Sequence, residues 1–306
     1  MKGRPAADSE VGAWAVLGKG PVSRVAYVNG RYRPVAEASV SVDDRAFTFG
    51  DGVYDVCEVR AGALIDETRH LARLRRSLEA VRISWPIGEA ALRLVMREIV
   101  RRNRVRDGLV YIQISRGAAR RDHGFPSSDV KPGLVVAARA LDPAIVSARA
   151  VKGVAVITLP DQRWAHPHIK TLQLLPNVLA KQAAREAGAF EAWFVDRDGF
   201  ITEGASTNAW IVTPDGAIVT RQADESILHG VARARLLDVA RLLGLRFEER
   251  PFTSQEAGQA REAFLSSATT IATPVVSIDG KPIGGGRPGA IVAQLRRAFH
   301  LSAERS

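Results

Sequence analysis

A chain of 306 residues that is 46% hydrophobic and 25% charged can bury a sizeable core in one large or two ordinary domains. Its single cysteine, Cys57, excludes an internal disulfide framework and fits a reducing cytoplasm, and no apolar run approaches the roughly 18 residues of a membrane span. The formal charge of +10 raises nucleic acid as a partner, but the 36 arginines are spread over most segments and their clusters lie in helix-like stretches, as solvated faces do.

Residues 1–22 carry Gly, Pro and Ala without periodicity and read as a loose extension. A small α+β domain is expected over 23–142. It opens on Ala26–Tyr32, where Asn29-Gly30 between alternating residues signals a β-hairpin. Val53–Val59 alternates as a strand, and Leu71, Leu74, Leu78 and Val81 recur at helical spacing over Thr68–Ile83. Leu92–Val100 repeats the helical pattern, and Leu109–Ile114 and Leu134–Ala138 read as strands. Leu141-Asp142-Pro143 marks the end of this block, with 143–148 as an interdomain linker.

The remainder, 149–306, predicts a larger barrel-like α+β domain, with Asp-Gly turns at 198–199, 215–216 and 279–280 between strand-like runs. Helices are predicted over Pro176–Ala187, where proline suits the first turn, and over Val231–Leu243, which stops at Gly244. Lysine is scarce. Six of the seven lie in the tail, in loops, at a strand start or on a polar helix face, which leaves Lys170 as the one with an unusual setting.

Lys170 follows His166-Pro167-His168-Ile169, and about thirty residues later comes Thr202-Glu203-Gly204. A lysine followed at this distance by an acidic turn resembles the core of the fold-type-IV pyridoxal phosphate enzymes, the superfamily of the branched-chain and D-amino acid transaminases. The resemblance runs from Tyr27 onward. Asp44–Asp55 is similar to the family segment leading into the strand that lines the substrate site, and His70-Leu71-Ala72-Arg73-Leu74 to the helix whose arginine grips the cofactor phosphate. A planar guanidinium suits that task because it can give two parallel hydrogen bonds to phosphate oxygens.

Three features resemble the D-amino acid branch: the loop Arg116–Pro126, the strand with Val56, and Leu172-Gln173-Leu174-Leu175 after the lysine. The resemblance implies that Arg121 and His123 of one subunit, with Tyr54 of the other, clamp the substrate α-carboxylate across a homodimer interface. It implies that Lys170 ties covalently to the cofactor aldehyde and moves the proton from the substrate Cα, and that Glu203 keeps the pyridine nitrogen protonated. Ser206 and Thr207 would bridge the phosphate and the substrate pocket, and Leu228 would pack against the ring.

The phosphate site departs from the family pattern at two positions. The helix-opening Gly-Ile-Thr-Arg appears as Gly230-Val231-Ala232-Arg233, and a second phosphate threonine is replaced by Ala268 in the run Ser266–Pro274. The helix N-terminus survives both changes, so main-chain N–H groups still favour an anion. Ser267 or Thr269 is left to supply the missing hydroxyl; otherwise weaker cofactor retention is expected. Asp55 is also shorter than the family's glutamate. The histidines at 166 and 168 lack the partners of a metal site, so no metal is expected. The resemblance thus implies a D-amino acid:2-oxo acid transaminase, with a branched-chain L-amino acid or (R)-amine transaminase, or a 4-amino-4-deoxychorismate lyase, as alternatives on the same fold.

Overall fold

The computed structural model describes residues 24–306, so the extension expected over 1–22 lies outside the described residues. The first six strands are β1 (Val25–Val28), β2 (Arg31–Pro34), β3 (Gly52–Arg60), β4 (Ala63–Leu64), β5 (Gly108–Ser115) and β6 (Gly133–Ala140), in one sheet of order β2-β1-β6-β5-β3-β4. Its pairings are all antiparallel. The β1–β2 turn is the Asn29-Gly30 hairpin read in the sequence, with φ of 46° and 92°, the pair of positive angles that a two-residue turn of this hand requires.

Period two divides the faces of this sheet. Val53, Asp55, Cys57 and Val59 of β3, with Val110, Ile112, Leu134 and Val136, point into a core closed by helices α2 (Glu67–Ala80) and α3 (Glu89–Asn103) after the short α1 (Arg45–Phe49). Leu71, Leu74, Leu78, Leu92, Met96 and Ile99 are the helix side of that core. Tyr54, Val56, Leu109, Tyr111, Ala137 and Arg139 stand on the opposite face and line a cavity. One sheet thus separates a packed apolar layer from the functional side.

The segment 143–148 is helical. Asp142 Oδ1 accepts from Ala144 N at 2.8 Å and Pro143 fills the first helical position, which starts α4 (Pro143–Lys152) at the point read as a boundary. The remaining strands are β7 (Val154–Pro160), β8 (Glu191–Val195), β9 (Ile201–Gly204), β10 (Asn208–Val212), β11 (Ile218–Thr220), β12 (Phe247–Glu249), β13 (Glu262–Ser267), β14 (Ile271–Ile278) and β15 (Lys281–Pro282). They form a nine-stranded sheet of order β12-β11-β10-β13-β14-β7-β8-β9, with β15 on β14. It curls towards closure: Phe200 bridges Thr253, and Ile201 N donates to Phe252 O at 2.9 Å, which ties β9 to the chain after β12. Trp193, Phe252, Ile211, Leu265 and Val275 fill the inside.

Three longer helices cover the outside, α5 (Leu175–Glu186), α6 (Val231–Leu242) and, after the short α7 (Ser254–Gly258), α8 (Ala290–Ala298). The sequence reading found α5 and α6 to within a residue at each end but assigned no helix to Ala290–Ala298. The two units are clasped through α2. Arg235 on α6 forks onto the buried Asp66, Arg69 meets Asp238 at 2.7 Å, and Ser306 exchanges main-chain hydrogen bonds with Leu64 at 2.9 and 3.1 Å. Among the described residues no helix is long and apolar enough to cross a membrane.

Candidate active site

Lys170 is fixed by its main chain. Tyr54 N donates to Lys170 O at 3.0 Å, Leu172 N donates to Gly52 O at 3.0 Å, and Thr171 bridges Val53, so the lysine segment runs antiparallel to the start of β3. Lys170 N also donates to Ser77 Oγ on α2 at 3.3 Å. This pairing carries the amine over Tyr54, with Nζ at 4.2 Å from the ring centroid, inside a cavity of about 450 Å³ between the two sheets.

Glu203, at the end of β9, faces the same cavity and is buried. Its Oε1 accepts from Leu228 N at 2.9 Å and from Arg163 Nη1, and its Oε2 accepts from Asn208 Nδ2 at 3.0 Å. Burial pushes its carboxyl above the usual range, against the pull of Arg163, the Leu228 N–H and Lys170. Arg163 is held in turn by Asp161 and Thr202, and by the carbonyl of Ser226. The sequence reading did not single out Arg163; the only available signal was an arginine in the Asp161-Gln162-Arg163 turn, seven residues before the lysine.

A third wall is built for an anion. Gly230 caps α6 without a side chain, and the first intrahelical bond is from Ala234 N to Gly230 O at 3.0 Å, so the N–H groups of Val231, Ala232 and Arg233 are left at the helix end. A side chain at 230 is excluded, because a Cβ there would stand 2.1 Å from Asn208 Oδ1. Arg73 is buried beside this end and lines the cavity. Ser267, Ala268 and Thr269 line it as well, together with Thr270, which the sequence reading missed. Ser267 Oγ lies 2.9 Å from Thr270 Oγ1 and 3.3 Å from Thr269 Oγ1, so hydroxyls crowd the place where Ala268 has none. The neighbouring Ile271 holds φ at 60°, a strained angle for a β-branched residue, as is found where a binding loop is fixed by its surroundings.

Ser206, Thr207, Leu228, Val231, Ala232, Tyr54 and Val56 all line the cavity. Ser206 Oγ donates to Glu191 Oε2 at 2.7 Å and Thr207 Oγ1 reaches the same oxygen at 3.3 Å, so both hydroxyl protons turn towards a buried carboxylate. What Ser206 and Thr207 offer the cavity is oxygen lone pairs and main chain. Arg121 and His123 do not enter the cavity of their own chain. They sit on an exposed loop against the Phe49 ring, at 5.1 and 5.4 Å, with Arg45 Nη2 on the carbonyl of His123 at 3.5 Å. His166 and His168 pack edge to face at 5.7 Å, and His168 Nδ1 lies 3.1 Å from Glu225 O.

Residues 52–278 match the family model of amino-transferase class IV. The chain belongs to the class IV aminotransferases. It is similar to a D-alanine aminotransferase of Bacillus licheniformis, 38% identical over 276 residues that cover 90% of this chain and 95% of that one. It is similar to a D-alanine aminotransferase of Staphylococcus aureus (strain MSSA476), 35% identical over 278 residues, 91% of this chain and 97% of the relative. Among solved structures it is similar to a T.th. branched-chain amino acid aminotransferase with pyridoxamine 5'-phosphate, with a TM-score of 0.83, 25% identity, and coverage of 91% of this chain and 93% of that one. The fold expected from the resemblance, a small α+β unit and a larger pseudo-barrel of fold type IV, is the one observed.

Pyridoxal phosphate, the cofactor of class IV aminotransferases, fits this lining. A primary amine, a buried carboxylate and an uncapped helix end with an adjacent buried guanidinium answer its aldehyde, ring nitrogen and phosphate respectively.

Proposed function

We propose that this chain is a pyridoxal-phosphate-dependent D-amino acid transaminase that moves the amino group of a D-amino acid to a 2-oxo acid in a ping-pong cycle, and that it works as a homodimer with shared active sites. The observation that carries the reading is that Lys170 and the buried Glu203 line one cavity whose far wall is an uncapped helix N-terminus beside Arg73. The choice of D-amino acids rests on the two relatives named D-alanine aminotransferase and on the Arg121–His123 loop.

When bound, the cofactor supplies an electron-accepting ring for the pair left by the broken Cα–H bond. The chain supplies the rest. Lys170 Nζ, carried over the Tyr54 ring, would take the substrate Cα proton and give it back at the cofactor's C4′ carbon, as general base and acid. Glu203 Oε1 and Oε2, each with a donor of its own, hold a fixed negative charge that favours a protonated ring nitrogen. Arg73, the α6 N–H groups and the hydroxyls of Ser267, Thr269 and Thr270 would hold the phosphate.

Arg121 and His123 are exposed and lie outside the lining of their own cavity, and a second copy would bring them to the Tyr54 side of the neighbouring site. An apolar stripe on α5 supports that association: Leu175, Val178 and Leu179, spaced three and four apart, are 67%, 58% and 62% exposed. A cation and two further donors converging on one carboxylate fix which Cα hydrogen meets Lys170.

The test is a half-reaction. Protein loaded with pyridoxal phosphate is mixed with D-alanine or L-leucine, and the visible cofactor band is followed. Conversion by D-alanine is the expected result. Conversion by L-leucine alone overturns the choice of substrate, and a protein that takes up no visible chromophore overturns the whole reading.

A further inference from the structure

We propose that Arg45 is a positioning residue for the substrate: it holds the main chain of the loop that carries Arg121 and His123, and so sets where that pair meets the α-carboxylate in the neighbouring site. The inference rests on the D-amino acid transaminase reading above and adds to it a residue of α1 that does not line the cavity.

The loop does little to hold itself. Arg121, Asp122 and His123 are exposed, and Gly124 N donates back to Asp122 Oδ1 at 3.0 Å in a local turn. Among the described residues, the hydrogen bonds that join 120–125 to the rest of the chain come from Arg45, whose Nη1 donates to Asp122 O at 2.5 Å and whose Nη2 donates to His123 O at 3.5 Å. One guanidinium thus grips both peptide planes that flank His123. The side chains rest on Phe49, four residues on from Arg45: the guanidinium carbons of Arg45 and Arg121 lie 4.6 and 5.1 Å from the centre of its ring, and the His123 ring lies at 5.4 Å.

Arg45 is itself immobilised. It is 4% exposed, and its Nε donates to Asp51 Oδ2 at 2.8 Å. Asp51 also takes the fork of Arg116, from Nε at 2.8 Å and Nη2 at 2.9 Å; burial pushes its carboxyl up, but the two guanidinium groups hold it below the usual range. One carboxylate cannot take every donor of two guanidinium groups, and carbonyl oxygens accept the rest. Arg116 spends its own on Val81 O and Arg82 O, which follow α2, while Arg45 turns its own to the loop. Asp51 stands three residues before Tyr54, so the loop is fixed relative to the strand whose Tyr54 faces the cavity. Main chain held in this way presents its side-chain donors with less ordering left to be done when substrate arrives.

The experiment uses the pyridoxal-phosphate-loaded protein and compares half-reactions of D-alanine and D-alaninamide, which share the reacting Cα and differ in the carboxylate. The wild type is expected to favour D-alanine by about a hundredfold, the scale of two charge-assisted hydrogen bonds. In R45M that preference falls by about tenfold or more, the loss lying with D-alanine. A general loosening of the fold slows both compounds alike and leaves the preference in place, which overturns the assignment. R45K keeps the cation but cannot span Asp51 and two carbonyls, so it shows the same fall and serves if R45M does not fold. R121Q is the reference for direct contact. If R121Q loses the preference and the Arg45 variants keep it, this inference alone fails. If R121Q keeps it as well, or the wild type has none, the loop does not read the carboxylate and the inference falls with that part of the reading above. If no D-amino acid converts the bound cofactor, the transaminase reading falls as a whole.

Discussion

The carboxylate of Asp55 grips the guanidinium of Arg73 along its Nε and Nη2 edge, at 2.8 Å for each bond, and takes His70 Nδ1 at 2.7 Å, with Asp55 wholly buried. Asp55 points to the helix side of β3 while its neighbours Tyr54 and Val56 point to the cavity, so one strand both anchors Arg73 and shapes the cavity wall. The fork fixes the plane of Arg73 and leaves its Nη1 edge, which lies 3.5 Å from the His229 carbonyl, on the side of the α6 end.

Removing that carboxylate strands a buried cation. Asp55→Asn is expected to cost about 3–5 kcal/mol of stability at neutral pH, read as a lower denaturation midpoint. The pH dependence has a definite sign. Burial pushes the Asp55 carboxyl up, but Arg73 and His70 hold it well below the usual range, so its contribution is complete above the ordinary carboxylate value and drains away as the pH falls below it. The midpoints of wild type and variant should converge in acid. A gap that persists unchanged there contradicts the pairing.

Glu203→Gln removes the carboxylate proposed to face the cofactor's ring nitrogen and is expected to lower kcat by about 10²–10³-fold, a typical loss for one preorganised electrostatic contact. Single-turnover rates with D-alanine measure it. A variant within about twofold of wild type would remove Glu203 from the mechanism.

Arg163 pulls the Glu203 carboxyl down against burial. Arg163→Met takes that pull away, so the carboxyl titrates higher and the acidic limb of the pH–rate profile moves towards neutral. If the limb stays in place or moves towards acid, Arg163 does not set the charge of Glu203.

The hairpin at Asn29-Gly30, helices α2, α3, α5 and α6 and the Asp-Gly turns were legible because period and punctuation are local properties of the chain. The gathering of Lys170, Glu203 and Arg73 in one cavity was legible as well, since their motifs sit in the family's order. Arg163, Arg139 and Arg149 were not, because among 36 arginines nothing local separates a buried or cavity-lining guanidinium from a solvated one. The roles of Asp55 and Glu191 were hidden for a related reason: their partners are 15 to 18 residues away and become neighbours only when β3 meets α2 and β8 meets the turn after β9.

Ala232 and Ala268 line the wall proposed to hold the phosphate and carry no hydroxyls. Ala232→Thr with Ala268→Thr is expected to tighten pyridoxal phosphate binding by about tenfold, since a hydrogen bond to a charged group contributes roughly 1.5–3 kcal/mol. Dialysis against inorganic phosphate, with the retained visible absorbance as readout, checks it. Equal retention by wild type and variant would mean that Ser267, Thr269 and Thr270 already complete the site.

Everything proposed for the cavity depends on one amine, Lys170 Nζ, as the covalent attachment point of the cofactor. Borohydride reduction of the pyridoxal-phosphate-loaded protein makes that bond permanent, and peptide mapping then locates it. A single labelled peptide spanning Ile169-Lys170-Thr171 is expected. A label on Lys181 or any other lysine, or no label at all, would leave the proposed chemistry without its anchor.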